Sequence, residues 1–398
     1  MHRPIKILHC LGTLDPGGVE TWLLRVLGSI DRDQFQFDFC TLGDRKGLYA
    51  DEMEQLGAKV IRCPLAEYWS FGSRFNGLLR AGQYQVVHSH VHLFSGVLLR
   101  WARARGVPIR VAHSHTSYDE YSDKTLRRYY RGLMLRWIQR HCTHGLAASH
   151  IAAEELFTKS WPEDDRFKVL HCGIDLALFQ DSFDKDQLRN ELGIPLDAPV
   201  VGHVGGFVKP KNHRFLLEIA GTILKMRPDI HFLFVGDGPL RAEIETQSRS
   251  AGISSNIHFA GTRTDIARLM RACMDAFILP SLWEGFGLVL IEAQAAGLPC
   301  IVSNAVSVET FIFHKQMFRL PLSEGKNEWA TKTIDALSLR PITSPVAIET
   351  LKQTDFCIHR STAELANLYA NGLKSSSDRV GFMSSPTLAD RGYKDATG

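Results

Sequence analysis

The chain has 398 residues, of which 44% are hydrophobic and 22% charged, and it carries a formal net charge of +3. That length holds two domains of ordinary size, each with its own core, and the composition is that of a globular protein. So small a net charge gives no reason to expect a nucleic-acid partner.

The apolar stretch at residues 5–14 carries Lys6 and His9 and breaks at Asp15-Pro16-Gly17-Gly18. It therefore reads as a strand entering a turn and not as a secretory signal. From there short apolar runs alternate with helical patterns. Strands are expected at residues 5–10, 35–42, 60–63, 86–89, 109–112, 145–148 and 168–171, with helices at 19–30, 93–105, 124–141 and 151–158. Such alternation predicts a parallel sheet flanked by helices. Residues 176–198 turn polar, with Asp181, Asp184, Lys185 and Asp186, and read as a link between domains. The pattern then restarts, with strands at 200–204, 231–235, 257–259, 276–279 and 300–302 and helices at 214–225, 240–251, 265–273 and 288–296.

Two doubly wound α/β units in tandem place a cleft between the carboxyl ends of their sheets, where ligands of such folds bind. The expected domains are residues 1–180, joined by a C-terminal helix at 358–373, and residues 190–357. The Ser-, Gly- and Asp-rich residues 374–398 are expected to be disordered. No run approaches the ~18 apolar residues of a membrane span. Eight cysteines stand singly, which points to small buried hydrophobes in a reducing compartment, so a cytoplasmic protein is expected.

The most informative segment is Ser281-Leu282-Trp283-Glu284-Gly285-Phe286-Gly287-Leu288, which leads into a helix carrying Glu292 and closing at Gly297-Leu298-Pro299. Two carboxylates bracket a glycine turn that follows a buried strand. The arrangement can hold a sugar at one end and a ribose at the other, with exposed amides between them for a pyrophosphate. The loop after the first strand, with Gly17 and Gly18 ahead of a helix, lets backbone approach a phosphate or a sugar ring, although a plain strand–helix turn looks the same. It is neither a dinucleotide fingerprint nor a P-loop. The second unit opens with Gly205-Gly206-Phe207-Val208-Lys209-Pro210-Lys211. Lysines at a helix N-terminus oppose its dipole, so an anion site explains them better than stability does. The loop with Arg263, Thr264 and Asp265 suits backbone pairing with a nucleobase, and Thr264 or Asp265 can cap the helix that follows.

His88, His90 and His92 follow one strand, and His113 and His115 the next. A three-histidine metal site is the sharp alternative. The run from His88 to His92 is not expected to converge on one point, so cleft-lining histidines without a metal are expected. His115 is then the candidate for contacting a reacting sugar. Asp31-x-Asp33 and Asp184-x-Asp186 follow no buried strand and read as solvated. Residues 124–140 carry Lys124, Arg127, Arg128, Arg131, Arg136 and Arg140 among Leu126, Tyr129, Tyr130, Leu133 and Trp137. That pattern suits an anionic membrane surface as well as a packed helix with a charged outer face.

Together these residues resemble the retaining glycosyltransferase family four, the group 1 glycosyltransferases, with the GT-B fold of two Rossmann-like domains facing a central cleft. The Glu284–Glu292 segment carries the resemblance most strongly. The Lys211 loop, residues 235–239 and Gly17-Gly18-Val19-Glu20 support it. It implies a sugar-nucleotide donor with uridine diphosphate as the default, a glycan or lipid-linked acceptor, and a place in bacterial exopolysaccharide or capsule synthesis at the inner face of the membrane. No cofactor and no metal are implied. Glu292 would bind the ribose hydroxyls and Glu284 those of the transferred sugar, with Phe286, Gly287 and Leu288 offering amides. Lys211 would neutralise the leaving diphosphate, His115 would stand near the donor sugar, and Gly17 and Gly18 would approach from the opposing domain. The chain has Gly206 where the family has arginine, a loss that Lys209 or Arg263 would have to cover. Two other readings stay open, a sugar-nucleotide epimerase and a non-catalytic subunit that binds a partner or lipid.

Overall fold

The computed structural model describes residues 3–115, 125–181 and 183–381. The first unit is a parallel sheet of β1 (Ile5–Leu11), β2 (Phe35–Thr41), β3 (Lys59–Arg62), β4 (Val86–Ser89), β5 (Ile109–Ser114), β6 (His144–Ala147) and β7 (Phe167–Val169). Its strands run in the order β3-β2-β1-β4-β5-β6-β7. The second unit is built from β8 (Val200–Val204), β9 (His231–Val235), β10 (Ile257–Gly261), β11 (Ala276–Leu279), β12 (Cys300–Ser303) and β13 (Met317–Leu320). Its order is β10-β9-β8-β11-β12-β13, again all parallel. In each sheet the chain winds outward from the first strand in one direction and then the other. β1 lies between β2 and β4, and β8 between β9 and β11. Each unit therefore has a switch point at the carboxyl end of its first strand, where a doubly wound sheet opens a crevice. This is the GT-B architecture expected from the sequence.

Burial on both faces explains why the central strands read as continuous apolar runs. Ile7 and Leu8 are both fully buried, Ile7 against Trp22, Leu365 and Tyr369 on one face, Leu8 among Val87, Leu98 and Leu99 on the other. In the second unit Val200 and Val201 divide in the same way. Helix Gly18–Ser29 turns Trp22, Leu23, Leu24, Val26 and Leu27 into the core. Helix His150–Phe157 starts at Ser149, whose Oγ accepts from the Ala152 amide at 3.1 Å.

The polar stretch read as a linker is structured. It contains helix Lys185–Glu191, capped by Asp184, which accepts from the Gln187 amide at 2.9 Å. Asp184 is thus a cap and not a merely solvated acid. Buried Arg189 donates to the carbonyl oxygens of Pro195, Leu196 and Ala198 and to Asp275. The last helix, Ile358–Gly381, returns to the first unit. Trp22 Nε1 donates to Ser361 Oγ at 3.2 Å, and the buried Tyr369 hydroxyl meets His88 Nδ1 at 2.6 Å. This helix continues beyond residue 373, and the rest of the expected tail, residues 382–398, lies outside the described residues.

Candidate functional site

The loops at the carboxyl ends of both sheets enclose a cavity of about 930 Å³. Gly17, Gly18 and His115 line it from the first unit, and Gly206, Lys211, Arg263, Glu284, Phe286, Gly287, Leu288 and Glu292 from the second. Lys209 is not in that lining; its ammonium sits 5.7 Å from the centre of the Trp283 ring. Glycine is required at two of the turns. Gly236 has φ +135°, and a Cβ there would come within 2.2 Å of the Gly205 oxygen, so the loops after β8 and β9 touch. Gly287 has φ +82° and starts helix Leu288–Ala295. The first amides of that helix have no intrahelical partner. Facing them is helix Gly18–Ser29, where a Cβ on Gly18 would lie 3.4 Å from Leu288 Cδ1. Two helix N-termini therefore point at one space, a favourable setting for negative charge.

Lys211 and Glu284 meet. Lys211 Nζ donates to Glu284 Oε1 at 2.5 Å, and Ser281 Oγ donates to the same oxygen at 2.6 Å. Loop-to-loop bonds set this contact. Asn212, with φ +56°, donates from Nδ2 to the Pro280 oxygen at 3.1 Å, and the Leu282 amide donates to the Pro210 oxygen at 2.7 Å. The lysine stem crosses Gly205, where a Cβ would come within 3.2 Å of it. The sequence places both residues in the site without showing that each neutralises the other.

Burial pushes the Glu292 carboxyl up to about 7, against the pull of the Arg25 guanidinium. Glu20 is raised to the same value by burial, with its own backbone hydrogen bond opposing and Asp15 adding to the rise. Glu20, Arg25 and Tyr49 line the cavity from the first unit, and Arg25 Nε is buried without a hydrogen-bond partner. Glu20 enters the sequence reading only within Gly17-Gly18-Val19-Glu20, and Arg25 and Tyr49 not at all. For Arg25 the signal was a lone cation following Trp22-Leu23-Leu24 on a helix that begins at the cleft.

The histidines depart from expectation. Side chains two apart on an extended chain share a face, so His88 and His90 converge, with ring centres 4.3 Å apart. Only His92 turns away, at φ +47° where a short 3₁₀ turn begins. His9 joins because β1 pairs with β4 and sets it beside His88; His113 and His115 join from β5. His9 Nδ1 meets His90 Nε2 at 3.1 Å, His90 Nδ1 meets His115 Nε2 at 2.9 Å, and His88 Nε2 meets His113 Nδ1 at 3.1 Å. His88 is fully buried. Burial lowers His115 to about 3, so its imidazole is neutral at ordinary pH.

Around Gly206 the cations are already engaged. Arg263 makes a two-pronged pair with Asp265, both bonds 2.8 Å, and a further bond to Glu191 at 2.9 Å. Asp265 therefore serves Arg263 and makes no side-chain cap. A Cβ at Gly206 would meet the Asp237 oxygen at an ordinary 3.6 Å, so a side chain fits there.

Residues 16–178 match the family model described as Glycosyltransferase Family 4, and residues 184–323 match that of Glycosyl transferases group 1. The Bacillus subtilis (strain 168) protein EpsF is 33% identical over 373 residues, spanning 92% of this chain and 96% of EpsF. The chain belongs to the family of group 1 glycosyltransferases. A second relative of this glycosyltransferase, the capsular polysaccharide biosynthesis glycosyltransferase CapH of Staphylococcus aureus, is 26% identical over 305 residues, 75% of this chain and 81% of CapH. The fold is shared with Anabaena Alr3699/HepE, solved with UDP and glucose, at a TM-score of 0.70 and 20% identity over 96% of this chain and 100% of that one.

The glycosyltransferase carries its basic helix, Thr125–His141, on the first unit. Arg131 pairs with Glu155 at 2.5 Å and Arg127 lies over the Tyr130 ring. Leu126, Tyr129 and Leu133 are 83%, 76% and 43% exposed. Lys124 lies outside the described residues. Among the described residues no helix is long and apolar enough to cross a membrane.

Proposed function

We propose that this glycosyltransferase moves a sugar, with retention of configuration, from a uridine diphosphate sugar to a growing glycan or lipid-linked acceptor in surface-polysaccharide synthesis. The observation that carries this reading is the single cavity holding the Lys211–Glu284 pair, Glu292 and two facing helix N-termini. Glu292 takes the ribose hydroxyls. The diphosphate lies between the amides of Gly287 and Leu288 and the backbone of Gly17 and Gly18. The transferred sugar lies toward Glu284 and His115. An incoming diphosphate competes with Glu284 for Lys211, so donor binding redirects the ammonium toward the leaving group. The freed Glu284 oxygen then accepts sugar hydroxyls.

Departure of the diphosphate builds negative charge where Lys211 and the helix N-termini already point, which stabilises the transition state without calling on a metal. Retention needs no enzyme carboxylate as nucleophile. The acceptor hydroxyl attacks from the face the diphosphate leaves, and a leaving-group oxygen takes its proton. The names of CapH and of the HepE complex agree with a capsule-type product and a UDP donor. In this reading residues 1–180 with the helix at 358–373 move as one body and residues 190–357 as the other, and closure excludes water. The enzyme works in the cytoplasm, with the apolar and basic face of helix Thr125–His141 on the anionic inner leaflet.

A thermal-shift screen of nucleotide sugars identifies the donor, because binding to the folded state alone raises its stability. Glu292→Ala is expected to abolish that shift, and Lys211→Ala to lower turnover about a hundredfold or more. Near-wild-type transfer by both variants would rule out this assignment of the site.

A further inference from the structure

The proposed transfer uses His115 alone and leaves four neighbouring histidines without a task. We propose that His90, His113 and His115 form a binding site for a first-row divalent metal of the zinc type, with one exchangeable position open to the donor cavity. Each of the three offers a ring nitrogen within 4.8 Å of the other two. The partners of the other nitrogens leave one on each ring for a metal. His113 Nδ1 is held by His88 Nε2, which leaves His113 Nε2 buried and without a partner. His90 Nε2 is held by His9 Nδ1, which leaves His90 Nδ1. His115 Nδ1 faces Cys172 Sγ at 3.9 Å, which leaves His115 Nε2. The two remaining nitrogens of His90 and His115 already lie 2.9 Å apart.

Each ring can thus turn one bare nitrogen inward and donate its other N–H outward, to His88, His9 and the Cys172 sulfur. Histidines that ligate metals need such an outer acceptor to fix the tautomer and the ring orientation. His88 is fixed in turn by the Tyr369 hydroxyl at 2.6 Å. Three neutral imidazoles with neither thiolate nor carboxylate suit zinc, cobalt, nickel or copper over magnesium or calcium. Entry comes through His115, which lines the cavity. A second triad, His9, His88 and His90, has the same spacing. Its His9 and His88 are fully buried and neither lines the cavity, so it lacks both an approach path and an open position.

A bound ion would fasten His115 and set a charged, ligand-seeking centre beside the donor sugar. On the reading of the cavity as the donor site, zinc is therefore an inhibitor of transfer, removable by chelation.

The test uses the full-length protein, stripped with a chelator and titrated with Zn²⁺ by calorimetry and with Co²⁺ by visible absorption. One ion per chain is expected, with the intense bands of four-coordinate Co²⁺. His113→Phe and His90→Asn should each lower affinity at least about tenfold, and His88→Phe, in the outer shell, about 10–100-fold. X-ray absorption of the zinc-loaded wild type reads the site even if a variant fails to fold. It should show nitrogen neighbours at about 2.0–2.1 Å and no sulfur. Absence of stoichiometric binding, a six-coordinate Co²⁺ spectrum, a sulfur shell or unchanged affinity in folded variants would each overturn the site. Stoichiometric metal binding alongside a failed donor screen would remove the donor reading and leave the metal site standing.

Discussion

Lys211 and Glu284 hold each other in the cavity, and each stabilises the other's charge. Removing one leaves a partly buried charge uncompensated, a loss of up to about 3–5 kcal/mol when the group is deeply buried. Lys211→Met alone and Glu284→Gln alone are each expected to lower the denaturation midpoint. The double variant should recover much of that loss and remain inactive. Denaturant titration of all three, beside transfer assays, separates stability from catalysis; midpoints that simply add would show that the two charges do not interact. Glu292 gives a pH signature. Its carboxyl titrates near 7 in the folded chain against 4.5 ordinarily. Between those values the folded state holds a proton that the unfolded state has lost, so the contribution of Glu292 to stability falls as pH rises through this window and then levels off. Buried histidines such as His9 and His115, lowered from 6.5 to about 3, contribute in the opposite sense below 6.5. Glu292→Gln cannot ionise, so the difference in stability between wild type and variant should follow that slope, while the like contribution of Glu20 stays in both. Ribose hydroxyls favour the ionised carboxylate, so donor affinity should rise with pH up to about 7, read by calorimetry in buffers of different ionisation heat.

At the scale of elements, the central strands were legible because parallel strands buried on both faces carry unbroken apolar runs. β13 was missed: it is a four-residue edge strand, Met317–Leu320, with exposed Arg319 in it. Helix Lys185–Glu191 was missed because its seven residues bury only Leu188 and Arg189. The site was legible as loops and not as contacts. Glu284 and Lys211 stand 73 residues apart, and their meeting depends on how the loops after β8 and β11 are stapled. The histidine cluster required the strand order. Without β1 beside β4, His9 has no reason to join His88, and the spacing from His88 to His90 by itself indicates only a shared face. The basic helix makes its own prediction. Arg131 is committed to Glu155 and Arg127 lies half-buried over the Tyr130 ring, whereas Leu126, Tyr129, Leu133 and Arg136 are exposed along one side of the helix, so in the proposed membrane contact these four meet the lipid. Replacing these four with serine should abolish flotation with vesicles rich in anionic lipid, while Arg127→Ser alone changes it little. Unchanged flotation of the quadruple variant would remove the membrane contact.

Across the whole molecule, the two units are fastened beside the cavity by a few contacts. Phe286 stacks on His171 with ring centres 5.2 Å apart and tilts against Phe356. Ser149 Oγ donates to the Gly285 oxygen at 2.9 Å, and the His150 ring pairs with Glu309 at 3.0 Å. The glycine turn proposed to carry the donor amides is therefore also the latch between units. Phe286→Ala is expected to open the free enzyme, seen as a larger radius of gyration in X-ray scattering. It should raise the donor KM more than it lowers kcat, because saturating donor restores closure. An unchanged radius would show that the latch lies elsewhere.

The return of helix Ile358–Gly381 to the first sheet has a consequence for biosynthesis. Trp22 and His88 find their partners in Ser361 and Tyr369, 339 and 281 residues farther along the chain. During synthesis the first unit leaves the ribosome long before the segment that closes its core, and it waits with that apolar face uncovered while the second unit folds behind it. Completion of the N-terminal half is thus deferred until the second unit has been made. A message truncated ahead of Ile358 yields a chain whose earlier-made unit, and not its later-made one, is the incomplete part.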